Sequence, residues 1–239
     1  MCEMDMSNTL EKEQTNSRRI TWLGQAGLLF EINGKIILID PYLSDSCRKV
    51  NPSSVRRYPV DKHFLHIVPD VIVLTHNHLD HTDQETLVHY LKKTVTVLAS
   101  QNAWNMVRRN GGAHNYVMFN CGTEFTVCGI TFRAVYAEHS DEHAVGVIIE
   151  TEGMTYYVTG DTLYNQKVID SIKEQVDVVF LPINGRGNNM NAVDAARFVK
   201  KIGAKIAVPL HFGLFDDMDG SELELEEKII PEPFKEVII

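Results

Sequence analysis

The sequence predicts an α/β fold in which two β-sheets pack face to face with helices outside them, a four-layer αββα sandwich. Antiparallel strand signals open the chain, and strands then alternate with helices in two separate series. There are too many strands for one parallel sheet and too many helices for a β-sandwich. No linker-like stretch divides the 239 residues, so residues 19–239 are expected to form one domain after a flexible leader over residues 1–18.

Three strands are predicted to begin the ordered chain. Short apolar runs at residues 20–24, 28–32 and 36–40 indicate these strands, and Asn33-Gly34 is typical of a hairpin turn between the second and the third. Residues 42–69 have no clear hydrophobic period. This segment is therefore predicted to be either a functional lid or a place for small helices.

Strands and helices alternate after residue 70. A fully apolar run at residues 71–75 predicts a strand that is buried on both faces. A helix over residues 83–93, a strand over 95–99 and a helix over 102–110 are predicted to follow it.

The second half of the chain is predicted to contain six strands, three helices and a terminal edge strand. The strands cover residues 124–128, 130–137, 144–151, 154–159, 176–181 and 205–209. The helices cover residues 165–174, 192–202 and 221–228, and residues 237–239 form the edge strand. Helix 192–202 has the clearest limits, because Asn191 is suited to cap its start and Gly203 follows its end.

Composition and charge exclude several classes of protein. Apolar residues make up 44% and charged residues 23% of the chain, which is ordinary globular composition. The net charge of −9 argues against a general binder of long nucleic acids. Residues 42–69 contain five bases and two acids, and such a local basic segment suits a small anionic substrate. The first 19 residues lack the apolar stretch of a secretory signal, so a cytoplasmic protein with no membrane partner is expected, and a homo-oligomer is left open.

The sharpest chemical feature is a cluster of histidines directly after the strand at residues 71–75. It reads Thr75-His76-Asn77-His78-Leu79-Asp80-His81. Imidazole and carboxylate are ligands for divalent ions such as Zn²⁺, Mn²⁺ and Fe²⁺. His76 and His78 point the same way in extended backbone and can chelate one ion, while Asp80 and His81 lie past the bend and can reach a second.

Three further candidate ligands stand at the ends of predicted strands. They are His139, Asp161 and His211. Each is a polar residue at the point where an apolar strand emerges, which is where α/β folds place their chemistry. Any one of them alone could be a turn or cap residue, but together with the histidine cluster they are predicted to be metal ligands.

The order of these residues resembles the metallo-β-lactamase superfamily over about residues 20–215. The shared pattern is HxHxDH, a lone histidine, a strand-end aspartate and a late histidine. The opening Trp22-Leu23-Gly24-Gln25-Ala26-Gly27 with Asp40-Pro41 is similar to the branch that contains ascorbate-6-phosphate lactonase and the N-acyl-phosphatidylethanolamine phospholipase D type enzymes. Pro182-Ile183-Asn184-Gly185-Arg186 followed by Met190-Asn191 resembles the lactonase-like subgroup.

The resemblance implies an αββα fold of the metallo-β-lactamase type and a role for each ligand. The first metal would be held by His76, His78 and His139. The second would be held by Asp80, His81 and His211, with Asp161 bridging the two. Asp40 would support the site by orienting a ligand imidazole. The expected cofactors are two divalent ions, zinc or manganese, with iron also compatible.

The expected activity is hydrolysis without a serine or cysteine nucleophile. A water between two close cations becomes hydroxide near neutral pH and attacks an acyl carbon or a phosphorus, and Asp80 can take up its proton. Asp161 stands where secreted β-lactamases usually carry cysteine, which argues against antibiotic hydrolysis. A small anionic lactone or ester is the expected substrate. A phosphodiesterase or nuclease acting on short or cyclic nucleotides, and a metal-binding protein with little activity, remain the alternatives.

Two groups of residues are predicted to bind that substrate. Arg186 lies between two glycines near a helix start, and with Asn184 it would bind phosphate or carboxylate. Arg56 and Arg57, in the segment at residues 42–69, would cap the pocket. Either group could instead be an ordinary turn or solvated loop.

Overall fold

The computed structural model of the chain describes residues 17–151 and 153–239, and these residues contain two mixed six-stranded β-sheets. In spatial order the first sheet contains β1 (Arg18–Gly24), β2 (Gly27–Ile32), β3 (Lys35–Ile39), β4 (Val71–Leu74), β5 (Thr96–Ala99) and β6 (Asn115–Met118). In chain order the second sheet contains β7 (Glu124–Val127), β8 (Ile130–Tyr136), β9 (Val145–Thr151), β10 (Met154–Val158), β11 (Val178–Pro182) and β12 (Ile206–Leu210), each beside the next.

Five α-helices and three short 3₁₀ helices connect the strands within these described ranges. The α-helices are α1 (Ser46–Val50), α2 (Gln84–Tyr90), α3 (Gln101–Val107), α4 (Gln166–Ser171) and α5 (Ala192–Ile202). The 3₁₀ helices cover Lys62–His66, Arg108–Asn110 and Gly220–Glu222. None of the helices in residues 17–151 and 153–239 is long and apolar enough to cross a bilayer.

The core confirms the predicted sandwich. Phe30 of β2 packs edge-on against Tyr156 of β10 and Phe180 of β11, with ring centroids 5.4 and 5.7 Å apart, so the two sheets face each other. Buried side chains of α2 and α3 join an apolar cluster with β4 and β5 on the outer face of the first sheet. α4 contacts β8 and α5 contacts β11 on the second sheet. Burying apolar area in these layers drives folding without disulfides or metal.

Local sequence signals predicted the positions of several elements correctly. α5 covers residues 192–202 as predicted, Asn191 accepts a hydrogen bond from the Asp194 backbone N–H, and Gly203 ends the helix with φ +68°. The segment at residues 42–69 contains two short helices, one of the two predicted alternatives. The leader predicted over residues 1–18 lies outside the described residues as far as residue 16, and β1 already begins at Arg18.

Two predictions near the C-terminus are wrong. A helix does not form over residues 221–228; a 3₁₀ turn ends at Glu222, and the Ala207 N–H of β12 instead donates to Glu227 O at 3.0 Å. Residues 237–239 are not a strand, although Val237 N donates to Ile20 O of β1 at 2.7 Å. At β12 the C-terminal chain satisfies backbone groups that a helix would not have reached. At β1 the chain pairs with the sheet edge beside the predicted strand, through an isolated bridge between Thr21 and Glu236.

Candidate metal centre

The candidate ligands lie where strands of both sheets end. The segment Thr75–His81 follows β4 of the first sheet, and His139, Asp161 and His211 lie within three residues after β8, β10 and β12 of the second. β10, β11 and β12 are parallel, and β8 runs in the same direction because both β8 and β10 are antiparallel to β9. Their carboxyl ends therefore meet at one edge, as predicted for chemistry in an α/β fold.

A glycine lets the two sheets approach each other at this edge. Gly160 has φ +59°, and a Cβ there would lie 2.9 Å from Val145 O and 3.1 Å from the Cβ of Thr75. Val145 N also donates to Thr75 O at 3.1 Å, which ties β9 to the end of β4. The absent side chain at residue 160 thus lets Asp161 reach the histidine cluster.

The structure brings all seven predicted ligands into two adjoining groups. Within each group, one potential ligand atom per residue lies within 4.8 Å of all the others. The first group is His76, His78, His139 and Asp161, and the second is Asp80, His81 and His211. Asp161 joins them, because its Oδ1 lies 3.3 Å from His81 Nε2 and its Oδ2 lies 3.3 Å from His211 Nε2.

Hydrogen bonds fix which nitrogen of each histidine is free in the first group. Thr75 Oγ1 donates to Asp40, so it accepts from His76 Nδ1 at 3.1 Å and leaves His76 Nε2 unprotonated. His139 Nδ1 lies 3.3 Å from Asn188 O, and its Nε2 lies 3.1 Å from His78 Nδ1. Two ring nitrogens this close require a proton or a cation between them.

Asp40 supports the cluster through hydrogen bonds from Thr75 and His81. It is buried at the end of β3, and its carboxylate accepts from Thr75 N at 2.8 Å, from Thr75 Oγ1 at 2.5 Å and from His81 Nδ1 at 2.7 Å. These bonds leave His81 Nε2 free to face Asp161. Asp40 also lies within 4.8 Å of His76 and His81 in a third group of potential ligands, but its oxygens are already occupied. The geometry agrees with the supporting role predicted for it.

The charges of the cluster hold His76 and Asp161 in the forms that bind a metal and hold His211 protonated, so a cation bound at His211 would displace its proton. Burial lowers the pKa of His76 well below its usual range, and the neighbouring His81 adds to the effect. Burial disfavours ionised Asp161, but His211 and His81 outweigh this and hold its pKa well below the usual range. Burial would lower the pKa of His211, but chiefly Asp161 and also Asp80 raise it to about 10. In the metal-free chain, protons on this side of the cluster therefore balance the carboxylates.

The residues fit divalent cations. His76 Nε2 is buried and has no hydrogen-bond partner among the described residues, while His81 Nε2 and Asp161 Oδ1, also buried, lie 3.3 Å apart without forming a hydrogen bond. Inward-facing polar atoms left unsatisfied are costly in an apolar interior, and bound cations would satisfy all three. Imidazole nitrogens and carboxylate oxygens are ligands that zinc, manganese and iron accept.

A cleft of about 360 Å³ opens onto the cluster. His78, Asp80, Asp161 and His211 line its floor, and its other lining residues include Asn184 and Arg186. Asn184 Nδ2 lies 2.8 Å from His211 Nδ1, and Arg186 is exposed at the rim. The structure thus brings the first predicted pair of substrate-binding residues to the site.

The second predicted pair lies elsewhere. Arg56 and Arg57 line a different cleft, and the Arg56 guanidinium packs over the rings of Tyr42 and Tyr58 at 5.1 and 5.8 Å. Arg56 Nη1 also donates to the carbonyls of Tyr42 and Ser44 at 3.3 Å. Arg56 therefore stabilises its own loop, and substrate binding by either arginine stays a prediction.

Sequence reasoning missed two side chains that contact the ligands. Gln25 is buried in the turn between β1 and β2 with φ +52°, and its Nε2 donates to Asp80 Oδ2 at 2.9 Å and lies 3.1 Å from the His211 ring nitrogens. Asn189 Nδ2 donates to Asp161 Oδ2 at 2.9 Å. Gln25 is part of the segment Trp22–Gly27 that resembles the superfamily, but the neighbouring residues do not indicate where its side chain points.

Comparison with known proteins agrees with this geometry. Residues 35–212 match the beta-lactamase superfamily domain. A UPF0173 metal-dependent hydrolase of Methanopyrus kandleri is 30% identical over 88% of this chain and 91% of its own length, and one of an Exiguobacterium species is 30% identical over 82% and 86%. The solved structure of a metallo hydrolase from Ignicoccus hospitalis, 21% identical, superposes with a TM-score of 0.75 over 92% of this chain and 97% of its own, which confirms the fold. The chain therefore belongs to the beta-lactamase superfamily and, within it, to the family of UPF0173 metal-dependent hydrolases.

Proposed function

We propose that this protein is a hydrolase that uses two divalent metal ions and acts on a small anionic lactone or ester. The observation that carries the proposal is the pair of ligand groups joined by Asp161 at the floor of an open cleft. A purely structural metal site would be closed by protein ligands, whereas catalytic sites keep a position open to substrate. The relatives named as metal-dependent hydrolases support the general reaction class.

The chain's own residues have distinct parts in the proposed reaction. When bound, the two cations activate a water molecule and neutralise the negative charge that develops on the substrate. Asp80 lines the cleft, and its side chain is 19% exposed against 6% for Asp161, so Asp80 is the carboxylate placed to accept a proton from water. Gln25 holds Asp80 Oδ2, while Asp40 and Thr75 fix the tautomers of His81 and His76.

The size of the cleft and the arginine at its rim favour a small anion, because bound cations would offset the three carboxylates, Asp80, Asp161 and Asp216, that also line the cleft. A space of about 360 Å³ is at the lower end of small-molecule sites, and Arg186 at its rim matches a phosphate or carboxylate group. A lactonase-like specificity is part of the proposal, as is a cytoplasmic protein that binds neither long nucleic acids nor membranes.

The substrate class is tested by a parallel screen of the metal-loaded protein. The probes are lactones, carboxylic esters, bis-p-nitrophenyl phosphate and short RNA, with His76→Ala as the inactive control. Turnover of lactones or esters that disappears in the control supports the proposal. Preferential turnover of bis-p-nitrophenyl phosphate or RNA would replace it with a phosphodiesterase, and no turnover by the loaded protein would leave a metal-binding role.

We expect the purified protein to hold close to two divalent ions per chain, either zinc or manganese. The seven ligands and the partnerless ring nitrogens motivate this number. Elemental analysis gives the count, and chelation should lower the melting temperature because the ions bind only the folded state. Absence of metal, together with a melting temperature that metal addition does not raise, would contradict the prediction.

Replacing Gln25 should weaken the ion group that contains Asp80 and His211. In Gln25→Ala the amide that contacts both ligands is lost, and changes to such supporting groups typically cost 10–100-fold in metal affinity, so a loss of about 10-fold is expected. The measurement is ion retention during dialysis against a graded chelator. Gln175→Ala, whose parent side chain binds only the Gly203 carbonyl, is the control. Equal retention of both ions in Gln25→Ala and in the control would show that Gln25 has no positioning role.

A further inference from the structure

A second cleft lies on the other side of the loop that walls the metal-site cleft. Its volume is about 540 Å³, and it is lined by residues from 43 to 62. Cys47, Asn51 and Ser54 of the same loop line the metal-site cleft instead, and the two clefts share no lining residue. The second cleft is therefore a separate place on the surface.

The lining of this second cleft is basic in an acidic protein. Four cations line it, Arg48, Arg56, Arg57 and Lys62, against one acid, Asp45. The chain as a whole carries a net charge of −9, so this concentration of positive charge is local. Within residues 17–151 and 153–239, the side chains of Arg48, Arg57 and Lys62 form no ion pair or hydrogen bond, whereas the nearby Lys49 pairs with Glu85 at 2.6 Å.

Arg56 adds a charge with no counter-ion. Its guanidinium packs over Tyr42 and Tyr58 and bonds two carbonyls through Nη1, but its Nε and Nη2 are buried and have no hydrogen-bond partner among the described residues. No described carboxylate lies within ion-pair distance of it. A buried cation is costly unless an anion balances it, and here the open side is lined by three more cations.

We infer that this cleft is a second ligand site and that it binds a small molecule bearing a phosphate group. Guanidinium groups match the geometry of phosphate oxygens, and three unpaired cations suit its double charge. The volume fits a small molecule, and the net charge of −9 on the chain as a whole disfavours a long polyanion. This inference is independent of the reaction proposed for the metal centre.

The test is a calorimetric titration of the protein with inorganic phosphate and, in parallel, with glycerol 3-phosphate. Removing one charge-assisted contact costs about 1.5–3 kcal/mol, so Arg57→Ala should weaken binding roughly 10- to 150-fold. Arg109→Ala removes an exposed arginine outside the cleft and should leave the affinity unchanged. Arg57 is chosen because it is exposed, whereas removal of Arg56 would disturb the loop that it holds. Tighter binding of one probe assigns the source as free phosphate or a phosphate ester.

A second pair of variants separates this cleft from the metal centre. Asp161→Ala and Arg186→Ala alter the metal-site cleft and should retain the phosphate binding that Arg57→Ala weakens. Binding that is lost in Asp161→Ala, or that is unchanged in both Arg57→Ala and Lys62→Ala, would overturn the inference, as would the absence of binding by either probe. Each of these outcomes can be read in the titration without any hydrolytic assay.

Discussion

Asp161→Ala is expected to reduce hydrolysis about 100- to 1000-fold while leaving the fold intact. Asp161 belongs to the first group of potential ligands, and each of its oxygens lies 3.3 Å from a histidine of the second group, Oδ1 from His81 Nε2 and Oδ2 from His211 Nε2. Removing one preorganised electrostatic group from an active site typically lowers kcat about 100- to 1000-fold, and the expected loss lies in that range. In this variant the facing imidazoles lose the anion that holds the two groups together.

Three measurements distinguish this result from simple misfolding. The circular dichroism spectrum should be unchanged, because the contacts that are lost, with Asn189, His81 and His211, are all between side chains and leave the backbone hydrogen bonds of both sheets in place. Asp161→Asn keeps the shape of the side chain and should be nearly as inactive, since the charge is what the cluster needs. Asp170→Ala, on the exposed face of α4, should behave as wild type. Wild-type turnover in Asp161→Ala would show that the two groups do not act as one site.

The candidate metal cluster can be predicted from the sequence because each potential ligand is marked by a local pattern. His76–His81 follow an apolar run that can only be a buried strand, and the other ligands stand at strand ends of the same kind. Sheet topology then brings strand ends together without any further signal. This is why the ligand groups could be predicted as a set even though their members are up to 135 residues apart, from His76 to His211.

The positions of side chains in turns and loops cannot be predicted from local patterns in this way. Gln25 reaches Asp80 only because its backbone adopts φ +52° in the turn after β1, a conformation that no residue pattern marks at glutamine. Arg56 is the converse case, a residue whose predicted contact is not seen in the structure. Its charge suggested a substrate contact, but two tyrosine rings and two carbonyls hold its guanidinium away from the metal-site cleft.

Predictions of the elements at the sheet edges failed for a related reason. β6 (Asn115–Met118) has no apolar alternation and was not predicted; it forms because its backbone pairs in parallel with β5. The segment at residues 222–228 has four glutamates and a helical composition, yet its backbone bonds to β12 at Ala207. At a sheet edge the available hydrogen-bond partners decide the conformation, and local propensity is a weaker influence.

Arg186→Ala is expected to lower kcat/KM for anionic substrates roughly 10- to 150-fold, the equivalent of about 1.5–3 kcal/mol for a charge-assisted hydrogen bond. Arg186 lies at the rim of the metal-site cleft on a loop that is closed by a bond from Gly185 N to Met190 O at 3.0 Å. The loop is tied to the candidate metal ligands through Asn184 and Asn189, so the backbone of Arg186 is held close to the candidate metal centre.

The change should appear mainly in KM. A contact with a remote anionic group is the same in the ground state and in the transition state, and its loss leaves kcat nearly unchanged. Arg186→Lys keeps the charge without the planar fork and should recover part of the loss. A neutral analogue of the substrate should not respond to either variant, and Arg109→Ala should match wild type on both. Wild-type kinetics of Arg186→Ala on every anionic substrate would place the anchor elsewhere in the cleft, whose uncharged polar lining residues include Asn51, Ser54 and Asn184.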